Sequence, residues 1–174
     1  MTNQDYSIRE AMPDEFSTIG DLMVTVYSQL EGFPSPKEQP NYYNKLANIG
    51  KLTEYPKVKL LIAVSPNGTI DGGIVYFSDM AYYGSGGSAT KEKNAAGFRL
   101  LAVNPNIRGK GLGKLLTNAC ITLAKVEKQK QIIIHSTKAM QIAWSMYENL
   151  GFKRSEDLDF IQGELPVYGF RLLL

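Results

Sequence analysis

Leu101-Ala102-Val103-Asn104-Pro105-Asn106-Ile107-Arg108-Gly109-Lys110-Gly111-Leu112-Gly113-Lys114 is the stretch that decides how this chain is read. The aliphatic run up to Val103 reads as the end of a strand. Pro105 turns the chain, and three glycines then lead into a helix. Glycine permits positive φ and lets the backbone approach a ligand closely. The N–H groups at a helix start have no internal partner, and the helix dipole adds positive potential there. Together they form a cradle for phosphate, to which Arg108 and Lys110 or Lys114 can add charge. The same letters also describe a glycine-rich turn capping a surface helix. Two other phosphate motifs are excluded. A P-loop needs Gly at 108 and Ser or Thr at 115, where Arg108 and Leu115 stand. A dinucleotide fingerprint needs Gly-x-Gly-x-x-Gly, and Lys114 falls where its third glycine would be.

Working outward, the second half of the chain has an α/β rhythm. Gly97 to Val103 reads as a strand. Leu112, Leu115, Leu116, Ala119, Cys120, Leu123 and Ala124 form one apolar helix face. Gln131 to Thr137 is a further strand, which makes 97–137 a strand–helix–strand crossover with two parallel strands. Ala139, Ile142, Ala143, Met146, Tyr147 and Leu150 repeat the helical spacing, and Gly151 stops it. Phe152 to Arg154 and Val167 to Leu173 read as closing strands. In the first half, Tyr6 to Ala11 reads as a short strand, and Pro13 and Asp14 open a helix that runs to Leu30. A second helix is expected from Asn41 to Ile49. Val58 to Val64 and Thr69 to Ser78 read as a hairpin turning at Pro66-Asn67-Gly68. Gly72-Gly73 inside it suggests a bulge or a close backbone approach. Tyr83 to Asn94, rich in Gly, Ser and Lys, reads as a mobile loop.

The chain has 174 residues, 44% of them hydrophobic and 21% charged, which suits one globular domain over 1–174. A net charge of +2 gives no bulk reason to invoke nucleic acid or an anionic membrane. A single cysteine cannot form an internal disulfide, and no basic or apolar leader opens the sequence. No stretch approaches the roughly 20 apolar residues of a membrane span. A cytoplasmic protein is expected. No His/Cys cluster suggests a metal.

The run Leu-Ala-Val-x-Pro-x-x-Arg-Gly-x-Gly-Leu-Gly resembles the coenzyme A loop of the GCN5-related N-acetyltransferases (GNAT). Ala143-Trp-Ser-Met-Tyr147-Glu-Asn-Leu-Gly151-Phe152 resembles a second signature of that family, Ala-x-x-x-Tyr-x-x-x-Gly-Phe. Ile8-Arg9-x-Ala11 with Asp14 resembles its first strand and helix. The resemblance implies a mixed, strongly twisted central sheet with helices on both faces and a splay between two parallel strands, here Gly97–Val103 and Gln131–Thr137. It implies acetyl-CoA as cosubstrate, with no metal, and transfer of the acetyl group to a primary amine by direct attack in a ternary complex. Leu101, Ala102 and Val103 would hold the pantetheine arm through strand backbone. Arg108, Gly109, Lys110, Gly111, Leu112, Gly113 and Lys114 would wrap the pyrophosphate.

Tyr147 matches the family's general acid, which gives the leaving thiolate a proton. On periodicity alone it belongs to the apolar stripe of its helix. A backbone N–H near Leu101 is expected to stabilise charge on the carbonyl oxygen. The general base is open. Gly97 and Arg99 stand where relatives often carry Glu or His. His135, Asp79 and Glu164 are candidates, His135 reading more naturally as a structural residue at a strand end. Met140 stands where relatives often carry a cofactor-binding Asn. Cys120 and Trp144 read as packing residues. Arg99 and the Tyr83–Asn94 loop are expected to serve the acceptor rather than the cofactor. That acceptor is a small-molecule or peptide amine, with no nucleic acid or membrane partner, and a homodimer is compatible with the sequence. A non-catalytic acyl-CoA sensor with the same fold is the competing reading. A dinucleotide-dependent oxidoreductase fails on glycine spacing.

Overall fold

The computed structural model describes residues 5–174, so the reading of Met1 to Gln4 as free of a leader lies outside the described residues. Among the described residues eight strands and four α-helices follow one another: β1 (Ser7–Glu10), α1 (Phe16–Ser28), α2 (Pro40–Ala47), β2 (Val58–Val64), β3 (Ile70–Phe77), β4 (Ala95–Val103), α3 (Leu112–Val126), β5 (Gln131–Ser136), α4 (Gln141–Asn149), β6 (Lys153–Arg154), β7 (Phe160–Gln162) and β8 (Leu165–Leu173). The strands form one sheet in the order β1-β2-β3-β4-β5-β8-β6, with β7 paired to β8. Every pairing is antiparallel except β4 with β5, which is parallel as the crossover reading requires. Among the described residues no helix is long and apolar enough to cross a membrane.

Helices cover both faces of the sheet, which explains why β2 and β3 read as nearly continuous aliphatic runs and not as alternation. On one face Ile19, Met23 and Val26 of α1 meet Leu46 of α2 and Leu60, Ile62 and Val75 of the sheet. On the other, Leu112, Leu116, Cys120 and Ala124 of α3 recur every four residues and are all buried against Ile74, Tyr76, Ala96 and Ile132. Leu115, Ala119 and Leu123, expected on the same stripe, sit half-buried at its margin. At Gly73 α1 presses close against β3. A Cβ there would lie 2.5 Å from Ile19 Cδ1.

The structure departs from the sequence reading in three places. The first helix begins later, because Pro13–Glu15 forms a tighter 3₁₀ turn before α1. The strand β7 was not anticipated. The stretch from Tyr83 to Asn94 is not a loose loop. Tyr83 is fully buried, Ser88 Oγ donates to Asp157 O at 2.9 Å, and Glu92 pairs with Arg171 at 2.7 Å. Its glycines are needed for contact: a Cβ on Gly86 would stand 2.8 Å from the Phe160 ring.

Asp71, only 4% exposed, ties the start of β3 to the end of β4. Its carboxylate accepts from Tyr6 Oη at 2.7 Å and from Asn104 Nδ2 at 3.0 Å, and its carbonyl accepts the Asn104 N–H at 2.8 Å. The hydrogen bond to this carboxylate pushes the Tyr6 phenol up to about 12. Replacing Asp71 with Ala strands the buried Tyr6 hydroxyl and the half-buried Asn104 amide, a change that should cost about 2–4 kcal/mol. For a chain of this size that is a fall of roughly 5–12 °C in thermal midpoint. Circular dichroism melting tests it, and an unchanged midpoint would show that Asp71 is not an anchor.

Candidate active site

The β3–β4 ladder pairs Val75 with Arg99 and Gly73 with Ala102, so Ile74 alone faces both Leu100 and Leu101. This bulge is made by Leu100, whose φ is +63°. A leucine in that region costs about 1–2 kcal/mol. The extra residue shifts the strand's alternation. Arg99 and Leu100 both face α1 and α2, while Phe98 and Leu101 face α3 and α4. Beyond this point β4 no longer runs with β5. Their ladder holds only Ala95–Gln131, Ala96–Ile132 and Gly97–Ile133. The two strands then separate, each with one edge unpaired, and a cleft of about 810 Å³ opens between them. Buried backbone groups need partners. The protein supplies one of them, since Tyr27 Oη donates to Leu101 O at 3.0 Å.

At one end of the cleft Asn104 holds the turn. Its side-chain oxygen accepts the Asn106 N–H at 3.0 Å, and Pro105–Ile107 forms a single 3₁₀ turn. Gly109 and Gly111 then adopt φ of +83° and +81°, which L side chains rarely reach. Gly111 caps α3, and the first helical bond runs from the Leu115 N–H to Gly111 O at 3.0 Å. The N–H groups of Leu112, Gly113 and Lys114 therefore have no acceptor within the helix. Leu101, Val103, Arg108, Gly109, Gly111, Leu112, Gly113 and Lys114 all line the cleft. Two expected residues do not. Ala102 points into the opposite core at 1% exposure, and Lys110 lies in the exposed turn outside the cleft wall.

Tyr147 reaches the cleft from α4, tilted against Phe98 and edge-on against Phe152 with centroids 5.7 and 5.8 Å away. Gly151, at φ +101°, ends the helix so that the Phe152 N–H can bond Tyr147 O at 3.0 Å. The Tyr147 hydroxyl has no hydrogen-bond partner among the described residues. Burial pushes its pKa well above the ordinary phenol value. Met140 lines the cleft and packs toward α1 and α2, and Trp144 packs edge-on against Phe170 at 4.8 Å.

His135 is fixed from both sides. Nε2 donates to Leu158 O at 2.9 Å, which leaves Nδ1 to accept from Tyr83 Oη at 3.0 Å. Burial lowers its pKa, and the nearby Arg99 charge adds to that. The imidazole is held neutral with neither nitrogen free. Asp79 accepts the Ala81 N–H at 2.9 Å as a turn cap, and neither it nor Glu164 lines the cleft. No Asp or Glu does, among the described residues. Arg99 lines the cleft on the α1/α2 side. Its Nη1 donates to Tyr83 O at 2.8 Å, and the guanidinium lies 5.5 Å from the Tyr83 ring centre.

Sequence reasoning missed Tyr27, whose spacing on α1 marks it only as core. It also missed Ser136 and Thr137 at the end of β5. Their hydroxyls are buried, border the cleft, and have no partner among the described residues.

A family model described as "Acetyltransferase (GNAT) domain" matches residues 71–173. N-acetylaspartate synthetase of Xenopus tropicalis is 33% identical over 63 residues, which is 36% of this chain and 23% of that protein. The matched segment thus spans less than a quarter of that curated relative. A GNAT-family acetyltransferase from Staphylococcus aureus Mu50 superimposes with TM-score 0.73 at 17% identity, covering 97% of this chain and 99% of the other. A structure from Salmonella typhimurium with its cofactor acetyl-CoA superimposes with TM-score 0.67 at 15% identity, covering 97% and 94%. At those identities the two structures speak to fold alone. The family match spans more than half of the chain, and with the glycine-built helix start and the parted parallel strands it decides the assignment: this chain belongs to the GNAT acetyltransferase family.

Proposed function

We propose that the protein is an acetyl-CoA-dependent N-acetyltransferase, working as one domain on a primary amine by direct attack in a ternary complex. The observation that carries this reading is the open edge of β4, followed across the Asn104–Gly111 turn by a helix start with three unpaired amides. Such an edge suits an extended amide-bearing arm, and such a helix start suits its pyrophosphate. The residues present fit the group on grounds of their own chemistry: unpaired strand backbone, free helical N–H groups, and Arg108 and Lys114 beside them.

Acetyl-CoA brings the thioester from which the acetyl group is transferred. Leu101 and Val103 offer backbone groups along the pantetheine arm, and the amides of Gly111 to Lys114 with Arg108 hold the pyrophosphate. Ala102 contributes through backbone alone, and Lys110 through long-range charge. Tyr27 fixes the Leu101 carbonyl and so the pitch of the strand beside the thioester. Tyr147 Oη donates a proton to the departing thiolate, a thiol of pKa near 8.5 against a phenol that burial keeps protonated. The amine must reach the site neutral or lose its proton to water, since His135 has both nitrogens engaged. The Xenopus relative's name, N-acetylaspartate synthetase, supports an amino acid as the acceptor.

Gly111→Leu places a side chain at φ +81° and closes the amide cradle. Acetyl-CoA affinity should drop at least tenfold by calorimetry while the fold persists. Unchanged affinity would remove the phosphate assignment. Binding of acetyl-CoA without release of coenzyme A to any amine would favour the sensor reading instead.

Tyr147→Phe keeps the ring and its packing and removes only the proton. The kcat should fall by about 10²–10⁴, with acetyl-CoA affinity near that of the parent. Because burial raises the phenol, the donor form persists through pH 10, so the parent's rate should not decline on the alkaline side before that. A Phe variant with the parent's kcat across the pH range, with chemistry rate-limiting, would make Tyr147 a packing residue.

A further inference from the structure

We infer that the acceptor is an amine that also carries a carboxylate, and that Arg99 is the residue that selects it. This rests on the acetyltransferase reading and deepens it.

The first observation is what the cleft lacks. Among the described residues no Asp or Glu borders it, so nothing there can pair with the extra ammonium groups of a polyamine. The second is an uncompensated cation. Arg99 forms no ion pair with any described residue, whereas Arg9, Arg154 and Arg171 each hold a carboxylate. It is nonetheless half-buried in the cleft wall. Of its five N–H donors, one is spent on Tyr83 O, and the guanidinium lies 5.5 Å from the Tyr83 ring centre. A guanidinium held in this way is a ready bidentate partner for a carboxylate.

Its charge is central to this end of the cleft. It is felt by the hydroxyls of Tyr27, Tyr42 and Tyr83, each of whose burial-raised pKa it pulls back down. The wall around it is aromatic: Tyr27 and Phe33 are 5.5 Å apart, Phe33 and Tyr42 5.7 Å. An acceptor with an apolar or aromatic body and an anionic group therefore fits better than a wholly polar one. Arg99 and the Leu101 edge border the same cleft, so a carboxylate held at Arg99 keeps its attached amine within that cavity.

The test uses the full chain, acetyl-CoA and matched amines: phenylalanine against 2-phenylethylamine, methionine against 3-(methylthio)propylamine, and spermidine as a polycation. Coenzyme A release is followed. Each amino acid should exceed its partner lacking the carboxylate by about 10- to 100-fold in kcat/KM, the range of a hydrogen bond to a charged group. In Arg99→Met that ratio should collapse toward one, and in Arg99→Lys it should be intermediate. Acetyl-CoA affinity and thermal midpoint are measured on both variants. A merely structural role for Arg99 would move those two and leave the ratio intact, which would overturn the inference. A parent that prefers spermidine, or acetylates each pair equally, overturns it as well while leaving the acetyltransferase reading standing. No release with any amine would overturn both.

Discussion

Leu100 keeps a left-handed backbone in the middle of a buried strand because the ladder to β3 holds β4 before and after it. Its β3 neighbour continues the ladder at Gly73 and Gly72 once the extra residue is passed, and the Asp71–Asn104 pair locks the strand end. The strain is converted into geometry. One inserted residue turns β4 away from β5, leaves two strand edges facing each other unpaired, and moves Arg99 and Leu100 onto the same side of the sheet. A regular β4 would have continued its pairing with β5 and filled the cleft with backbone hydrogen bonds. The site exists because the sheet is interrupted there.

What fills the walls of that interruption is as telling as its shape. Tyr27, Tyr42, Tyr83 and Tyr147 are all held protonated by burial. They can donate hydrogen bonds but carry no negative charge at neutral pH. His135 is neutral, and its two nitrogens are already engaged. Among the described residues the only formal charges on the walls are positive, Arg108 and Lys114 at the helix start and Arg99 at the far end, with Lys45 close enough for the Arg99 charge to lower its pKa further. Such a cleft favours anionic ligands at both ends.

Much of this was legible from residues alone, for identifiable reasons. The helix start at Gly111 was readable because positive φ demands glycine, and the hairpin was readable from Pro66-Asn67-Gly68. The parallel pair followed from a helix lying between two aliphatic runs. The bulge was not readable, because a leucine in the left-handed region leaves no compositional mark. The packing of 83–94 was missed because its glycines resemble those of a flexible loop. Here they permit contact with Phe160 and Arg99. Tyr83 itself is buried over Gly97, whose missing side chain gives its ring room, a relation across 14 residues that no local pattern reveals. Tyr147 was assigned only through its likeness to a family signature, since its own spacing says core.

The absence of a carboxylate from the cleft bears on how the proposed reaction must behave. An alkylamine of pKa about 10.4 is neutral in only about one molecule in a few thousand at pH 7. Where no side chain takes the proton inside the cleft, that fraction is set in solution, and the rate follows the supply of neutral amine. Each pH unit then adds close to a factor of ten until the amine's own pKa is reached. The general acid does not oppose this rise, because burial keeps Tyr147 protonated over the same span. A positive charge at Arg99 acts in the same direction, since it disfavours a second cation close by and so lowers the pKa of an amine bound near it. The arginine that would select a carboxylate thus also helps the attached amine lose its proton.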